Sequence, residues 1–313
     1  MNLESINLFD PEIQENWFPA YKTLLEEAPV YRIPDSTTYV ITKYEDILTV
    51  VGDPATFSNE PEKYGGEPLI VHPEARQYYI DHGLGKEKGK TRWPLLGMDP
   101  PDHGKYRKLI DKHLMDRHVL RRTQPFVEQT IRELIDNFVD YGQIEFVQQF
   151  AIPLPVTIIT AMIGFPLEDI PQLKVWSTTR TLPFARGLSL EQEMEVARQG
   201  VDFQDYIKSI ADERRRNPQD DVITHLVQAR YDEKRPLTDH EIASIVDNMY
   251  IGGNETTTFN LTSGMWLMLR DPNIHRALLN DSSRIPNFAN EVLRLESPTQ
   301  GLYRTAVVDT EIR

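Results

Sequence analysis

Thr238 and Glu241 stand three residues apart at the head of a stretch that meets no stop signal until Asp271-Pro272. A threonine whose hydroxyl caps the third amide, with a glutamate there reaching back to the cap amide, starts a helix. An aspartate followed by proline ends one, because proline brings no amide and clashes with the preceding turn. The spacing predicts one helix from Thr238 to near Arg270, about 48 Å long at 1.5 Å per residue. A rod of that length crosses a domain of 313 residues, so it must be central and the rest of the chain must pack around it.

The surroundings read as mainly α. Phe126, Ile131, Leu134, Ile135 and Phe138, like Ile242, Ile245, Val246 and Met249, recur at helical spacing. One early strip differs: Val30 to Ile33 and Tyr39 to Thr42 alternate and are β-rich around Pro34, Asp35 and Ser36, which predicts a hairpin. From Ser58 to Pro100 glycine and proline mark a long connection with one short helix. No repeat or linker divides the chain, which is read as one domain over 1–313. The uncharged stretch from Val147 to Leu167 is cut by Pro153, Pro155 and Pro166, too short between prolines to span a bilayer, and the amino terminus lacks a secretory pattern. A cytoplasmic protein with no membrane span is expected. A net charge of -14 repels phosphate backbones, so nucleic acid is not the expected partner. With no cysteine, the 313 residues form neither disulfides nor thiolate metal sites.

Four constellations carry chemistry. Gly252-Gly253-Asn254-Glu255-Thr256-Thr257 falls in the middle of the long helix. Each interior glycine costs about 1 kcal/mol relative to alanine, and the close approach of another group to bare backbone would compensate. A flat cofactor fits that demand, with Glu255 and Thr256 beside it as a carboxylate and hydroxyl able to relay protons. A kinked helix in a tight crossing fits it too. In Asp99-Pro100-Pro101-Asp102-His103-Gly104-Lys105-Tyr106-Arg107, proline and acids mark a helix start. His103 and Arg107 there project from one face toward a shared carboxylate or phosphate, or simply into solvent. Glu291 and Arg294 form an i,i+3 acid and base, by themselves an ordinary helical ion pair. Arg304 lies in a β-like run from Leu302 to Val308, where a lone arginine is usually a surface residue.

In this order and spacing the four resemble the cytochrome P-450 family of soluble bacterial type, over essentially the whole chain. The resemblance implies a mainly α fold with small β-sheets and haem b, iron protoporphyrin IX, as cofactor. It implies that His103, Arg107 and Arg304 hold the haem propionates, that Gly252 and Gly253 open the helix to the cofactor, and that Glu255 and Thr256 deliver protons to bound dioxygen. Glu291 and Arg294 would be structural, holding the core near the haem. The reaction implied is insertion of one atom of O2 into a small apolar organic substrate, with electrons from a ferredoxin-type partner and its reductase. Seven Lys or Arg and two Asp between Lys105 and Arg122 make a window of about +5 where that partner would dock, or else a solvated basic helix. Pro73 to Leu96 and Leu182 to Ala197, with Tyr78, Tyr79, Trp93, Leu95, Leu96, Phe184 and Leu188, would line the substrate pocket or be core.

The sequence departs from the family in one respect: the cysteine whose thiolate ligates haem iron is not among these residues. The chain is therefore expected to be truncated before the cysteine loop, and its 313 residues inactive alone. The alternative is a non-catalytic remnant that binds a ligand or partner. A third reading, a magnesium-dependent prenyl-diphosphate cyclase, starts from Asp220 and Asp221 but finds Thr224 where its motif needs a carboxylate.

Overall fold

The computed structural model describes residues 2–8, 10–34, 36–66, 68–84, 95–114, 117–185 and 187–313. In chain order, α1 (Pro11–Glu15) and α2 (Phe18–Glu27) lead into β1 (Val30–Arg32) and β2 (Tyr39–Ile41), then α3 (Tyr44–Gly52), β3 (Phe57–Ser58) and α4 (Pro73–His82). Next come α5 (Asp102–Leu114), α6 (Arg117–Asp136), α7 (Pro153–Ile163), α8 (Ile170–Thr181), α9 (Leu190–Arg216) and α10 (Val222–Gln228). A hairpin of β4 (Arg230–Tyr231) and β5 (Arg235–Pro236) precedes α11 (Asp239–Arg270), and α12 (Pro272–Asn280), α13 (Ile285–Leu295) and β6 (Thr305–Ala306) follow.

The long helix is α11, and both halves of its Thr238/Glu241 capping box are formed. Its first half is buried along nearly every position from Glu241 to Tyr250. Around it lies the main core: Tyr106 and Ile110 of α5, Ile159 and Ile163 of α7, Leu173 and Trp176 of α8, Phe203 and Ile207 of α9, and Ile223 and Leu226 of α10. Trp176 stacks on Phe203 with ring centroids 5.1 Å apart. The second half of α11 differs. Phe259, Trp266 and Leu269 are exposed, while Gly264 on the opposite side lies against Val292 of α13.

α9 begins with its own capping box, Ser189 and Gln192, and carries Glu191 and Glu193 in its first turn and Arg214, Arg215 and Arg216 in its last, the signs its dipole favours at each end. α7 ends at Gly164, with φ +102°, where an added Cβ would run into the Asp221 carboxylate, so glycine is required there. α4 packs on α9 through Ala75 and Tyr79 against Val196, Ala197 and Val201.

The expected hairpin forms as β1 and β2, antiparallel with Val30 opposite Ile41. The β-like run near Arg304 becomes strand only at Thr305–Ala306, and its partner is β3, with Ser58 opposite Thr305. The Val147–Leu167 stretch holds a π-helical turn, Val147–Ala151, and then α7. No helix among the described residues is long and apolar enough to cross a membrane.

Candidate functional site

The middle of α11 opens on one side only. An added Cβ at Gly252 would meet nothing within 4 Å, so bare backbone faces open space there. At Gly253 it would lie 2.9 Å from the Ile159 side chain. The missing side chain at Gly253 lets α7 approach α11. One turn beyond Gly252, the Thr256 hydroxyl donates to the Gly252 carbonyl at 2.7 Å, a back-bond that loosens the local helix ladder.

Glu255 turns away from that opening toward α8. Its Oε1 accepts from Lys174 Nζ at 2.6 Å, Ser177 Oγ at 3.0 Å and Asn254 Nδ2 at 3.3 Å, while no hydrogen bond among the described residues reaches Oε2. Asn254, fully buried, also donates to Ser177 Oγ at 3.0 Å. Two turns earlier, Asp247 Oδ2 accepts from Arg180 Nη2 at 2.9 Å, with both residues buried and the guanidinium 5.7 Å from the Tyr79 ring centroid. Three positions of α8, Lys174, Ser177 and Arg180, are thus tied to the polar side of α11. Sequence reading missed these partners. The signal was Asp247 and Asn254, polar residues seven apart on a helix otherwise destined for the core.

A second group forms where β3 meets β6. Asp99 accepts from the Ser58 hydroxyl and from the Asn59 amide at 2.8 Å, and its carbonyl accepts from the His103 amide at 3.1 Å. Arg304, half-buried on β6's approach, donates from Nη1 to the Tyr303 carbonyl at 2.8 Å and makes no ion pair among the described residues. Burial lowers its pKa, and the nearby Asp99 charge opposes that only in part. A half-buried guanidinium with no carboxylate at ion-pair distance among the described residues is under-satisfied and suited to an anion. His103 is half-buried, whereas Arg107 is exposed and bonded to Asp111 at 2.6 Å. Sheet pairing therefore brings Arg304 beside the start of α5. No hydrogen bond or ion pair among the described residues links His103, Arg107 or Arg304 to Gly252, Glu255 or Thr256.

Glu291 and Arg294 form a two-bond ion pair, 2.8 and 2.6 Å, on the exposed side of α13. Val292 between them is the buried contact with α11. Of the residues expected around a substrate pocket, Tyr79 is core: it packs against Val196 and Ala197 and its hydroxyl accepts from Gln204 Nε2. Tyr78 stacks on His82, Phe184 and Leu96 are exposed, Leu95 packs on the main core, and Leu188 packs on the α4–α9 cluster. Trp93 lies outside the described residues. Asp220 pairs with Arg122, and Asp221 caps α10 and pairs with Arg214, so both aspartates of the cyclase reading hold the fold.

The family model for Cytochrome P450 matches residues 172–313. The 6-deoxyerythronolide B hydroxylase of Saccharopolyspora erythraea is 27% identical over 304 residues, 95% of this chain and 71% of the relative. Nocardicin C N-oxygenase of Nocardia uniformis subsp. tsuyamanensis is 29% identical over 300 residues, 94% of this chain and 70% of the relative. Among solved structures, cytochrome P450 CREJ in complex with (4-ethylphenyl) dihydrogen phosphate superposes with a TM-score of 0.85 at 27% identity, over 99% of this chain and 75% of that one. In fold and in sequence the chain is similar to the cytochrome P450 family of monooxygenases, whose cofactor is haem b.

Proposed function

We propose that the protein inserts one atom of O2 into a small apolar organic substrate in the cytoplasm, with electrons from a ferredoxin-type protein and its reductase. The observation that carries this reading is the opening at Gly252, with Thr256 one turn further along α11. The residues present fit haem at two places. Open space over bare backbone at Gly252 accepts a flat ring, and the half-buried Arg304 guanidinium, which makes no ion pair among the described residues, accepts a propionate, with His103 and Arg107 as further donors. The iron ligand of the family, a cysteine thiolate, is not among the 313 residues. When bound with that ligand, haem supplies the activation of dioxygen.

The chain's own residues handle protons and position. With its hydrogen given to the Gly252 carbonyl, Thr256 Oγ1 offers lone pairs to a donor on the open side. Glu255 keeps Oε2 for proton exchange while Lys174, Ser177 and Asn254 fix its other oxygen on the α8 side of the helix. Exposed Lys108 and Arg121, within the basic window, offer the redox partner an electropositive surface on an acidic molecule. Lys112 and Arg117 of that window have side chains outside the described residues.

The test is uptake of iron-free protoporphyrin IX, which needs no axial ligand, followed by fluorescence quenching. Arg304→Ala and Arg107→Ala should each weaken uptake about tenfold, as expected for one charge-assisted hydrogen bond. Unchanged uptake in both variants would remove these residues from the propionate role.

A further inference from the structure

α5 is held from behind by a polar network that the oxygenase reading does not use. Tyr106, 5% exposed, donates its phenol to Glu241 Oε1 in the first turn of α11. The same carboxylate accepts from Arg235 Nη1 at 2.7 Å, Arg235 Nη2 at 2.6 Å and the Thr238 amide at 2.8 Å, so both of its oxygens are taken. One turn before Tyr106, Asp102 accepts from the Tyr231 phenol at 2.5 Å and from Lys105 at 3.0 Å. The Tyr231 ring lies 4.8 Å from that of Tyr106, with the Arg235 guanidinium 4.7 Å and the Lys105 ammonium 5.4 Å from its centroid. One turn after Tyr106, His225 Nε2 bonds the Leu109 carbonyl at 2.9 Å.

Asp102, Tyr106 and Leu109 follow the i, i+4, i+7 spacing of one helical face. Three successive turns of α5 are therefore anchored to the β4–β5 hairpin, to α11 and to α10. His103 and Arg107 stand roughly 60° and 100° around the axis from Tyr106, at 100° per residue. They belong to the neighbouring face, which the anchors leave free. With side chains reaching about 5–6 Å from the axis, a rotation of α5 by roughly 20° moves those donors about 2 Å. Such a shift is enough to break a hydrogen bond.

We propose that Tyr106, backed by Glu241 and Arg235, is a positioning residue that sets the rotation of α5 and so aims His103 and Arg107 at the haem propionates. This rests on the propionate reading given above. The Tyr106 hydroxyl adds to packing a directional tie between α5 and the first turn of α11. Tyr106 touches neither cofactor nor substrate in this scheme and acts through the two residues it orients.

The experiment compares two probes, iron-free protoporphyrin IX and its dimethyl ester, on the full chain, by fluorescence quenching. They share a ring and differ only in the carboxylates. Tyr106→Phe should weaken protoporphyrin IX about tenfold, the size expected for one lost charge-assisted contact, and leave the dimethyl ester within about twofold. In the Tyr106→Phe, Arg107→Ala double variant the loss should be less than the product of the two single losses, because Tyr106 acts in part through Arg107. Glu241→Gln, which keeps the side-chain shape, should reproduce the Tyr106→Phe pattern and serves if that variant does not fold. Equal loss of both porphyrins would mean a loosened core and overturn the proposal. Loss in Arg107→Ala with none in either network variant would overturn it while leaving the propionate reading intact. No selective loss in Arg107→Ala or His103→Ala, or no uptake of either porphyrin by the unaltered chain, would overturn both.

Discussion

Gly252 and Gly253 are adjacent in the chain and opposite in what they need. At Gly252 a methyl group enters open space, so Gly252→Ala should stabilise the fold by about 1 kcal/mol through helix propensity alone. The same methyl would stand on the proposed porphyrin face, so uptake should fall as stability rises. At Gly253 the Ile159 side chain is already in the way, and Gly253→Val should destabilise by about 1–3 kcal/mol through overpacking. Urea unfolding read by circular dichroism checks both, and a stable Gly253→Val protein would mean that α7 does not need the glycine. Glu241 gives a pH signature. Burial alone would raise its pKa, but the Arg235 and Tyr106 hydrogen bonds and the Thr238 amide outweigh burial and hold it at about 2, below the ordinary 4.5. A lowered folded-state pKa contributes stability that is complete above the unfolded value and lost as pH falls through the folded one. Glu241 should thus contribute about 3 kcal/mol near neutrality, lost progressively from about pH 5 down to pH 2. Stability measured against pH should show that slope in the unaltered chain and a shallower one in Glu241→Gln.

Between elements, the tie of α8 to α11 is the most exacting contact. Arg180 and Asp247 are 4% and 5% exposed, so removing one partner strands the other's charge in the core. Arg180→Met or Asp247→Ala alone should destabilise by about 3–5 kcal/mol, whereas Arg180→Met with Asp247→Leu should come close to the unaltered protein. Equilibrium denaturation of all three decides this; similar losses in the single and double variants would show that the pair stabilises more than a packed apolar replacement. These two residues also mark how far the sequence is legible. α11 was readable from Thr238 to Arg270 because a capping box and an Asp-Pro stop are local signals, and so was the β1–β2 hairpin, with its turn formers between alternating strands. The β4–β5 hairpin was not, because its turn places Asp232 and Glu233 at φ +51° and +59° without the glycine or asparagine that advertises such a turn. Nor was the β3–β6 pairing, whose strands are two residues long and far apart in the chain. The acid and alcohol of α11 were visible in the sequence. Lys174, Ser177 and Arg180, which hold the acid and its neighbours, became visible only when tertiary packing laid α8 alongside.

At the scale of the whole molecule, charge is unevenly spread. An acidic protein of net charge -14 carries Lys108 and Arg121 exposed within its basic window. Association with an acidic redox protein should slow with rising ionic strength, and Lys108→Glu with Arg121→Glu should reduce both the rate and its salt dependence. Stopped-flow electron transfer over a salt series measures this, and identical slopes would place the docking surface elsewhere. The polar ties of α8 have a consequence at this scale as well. Lys174, Ser177 and Arg180 meet Glu255, Asn254 and Asp247 in reverse order along the two helices, so the rods are pinned at three points and oppose each other in direction. Sliding α8 by one turn, about 5.4 Å, would break every pin at once and leave each charge facing the wrong neighbour. Three pins of unlike chemistry therefore fix the register of α8 on α11.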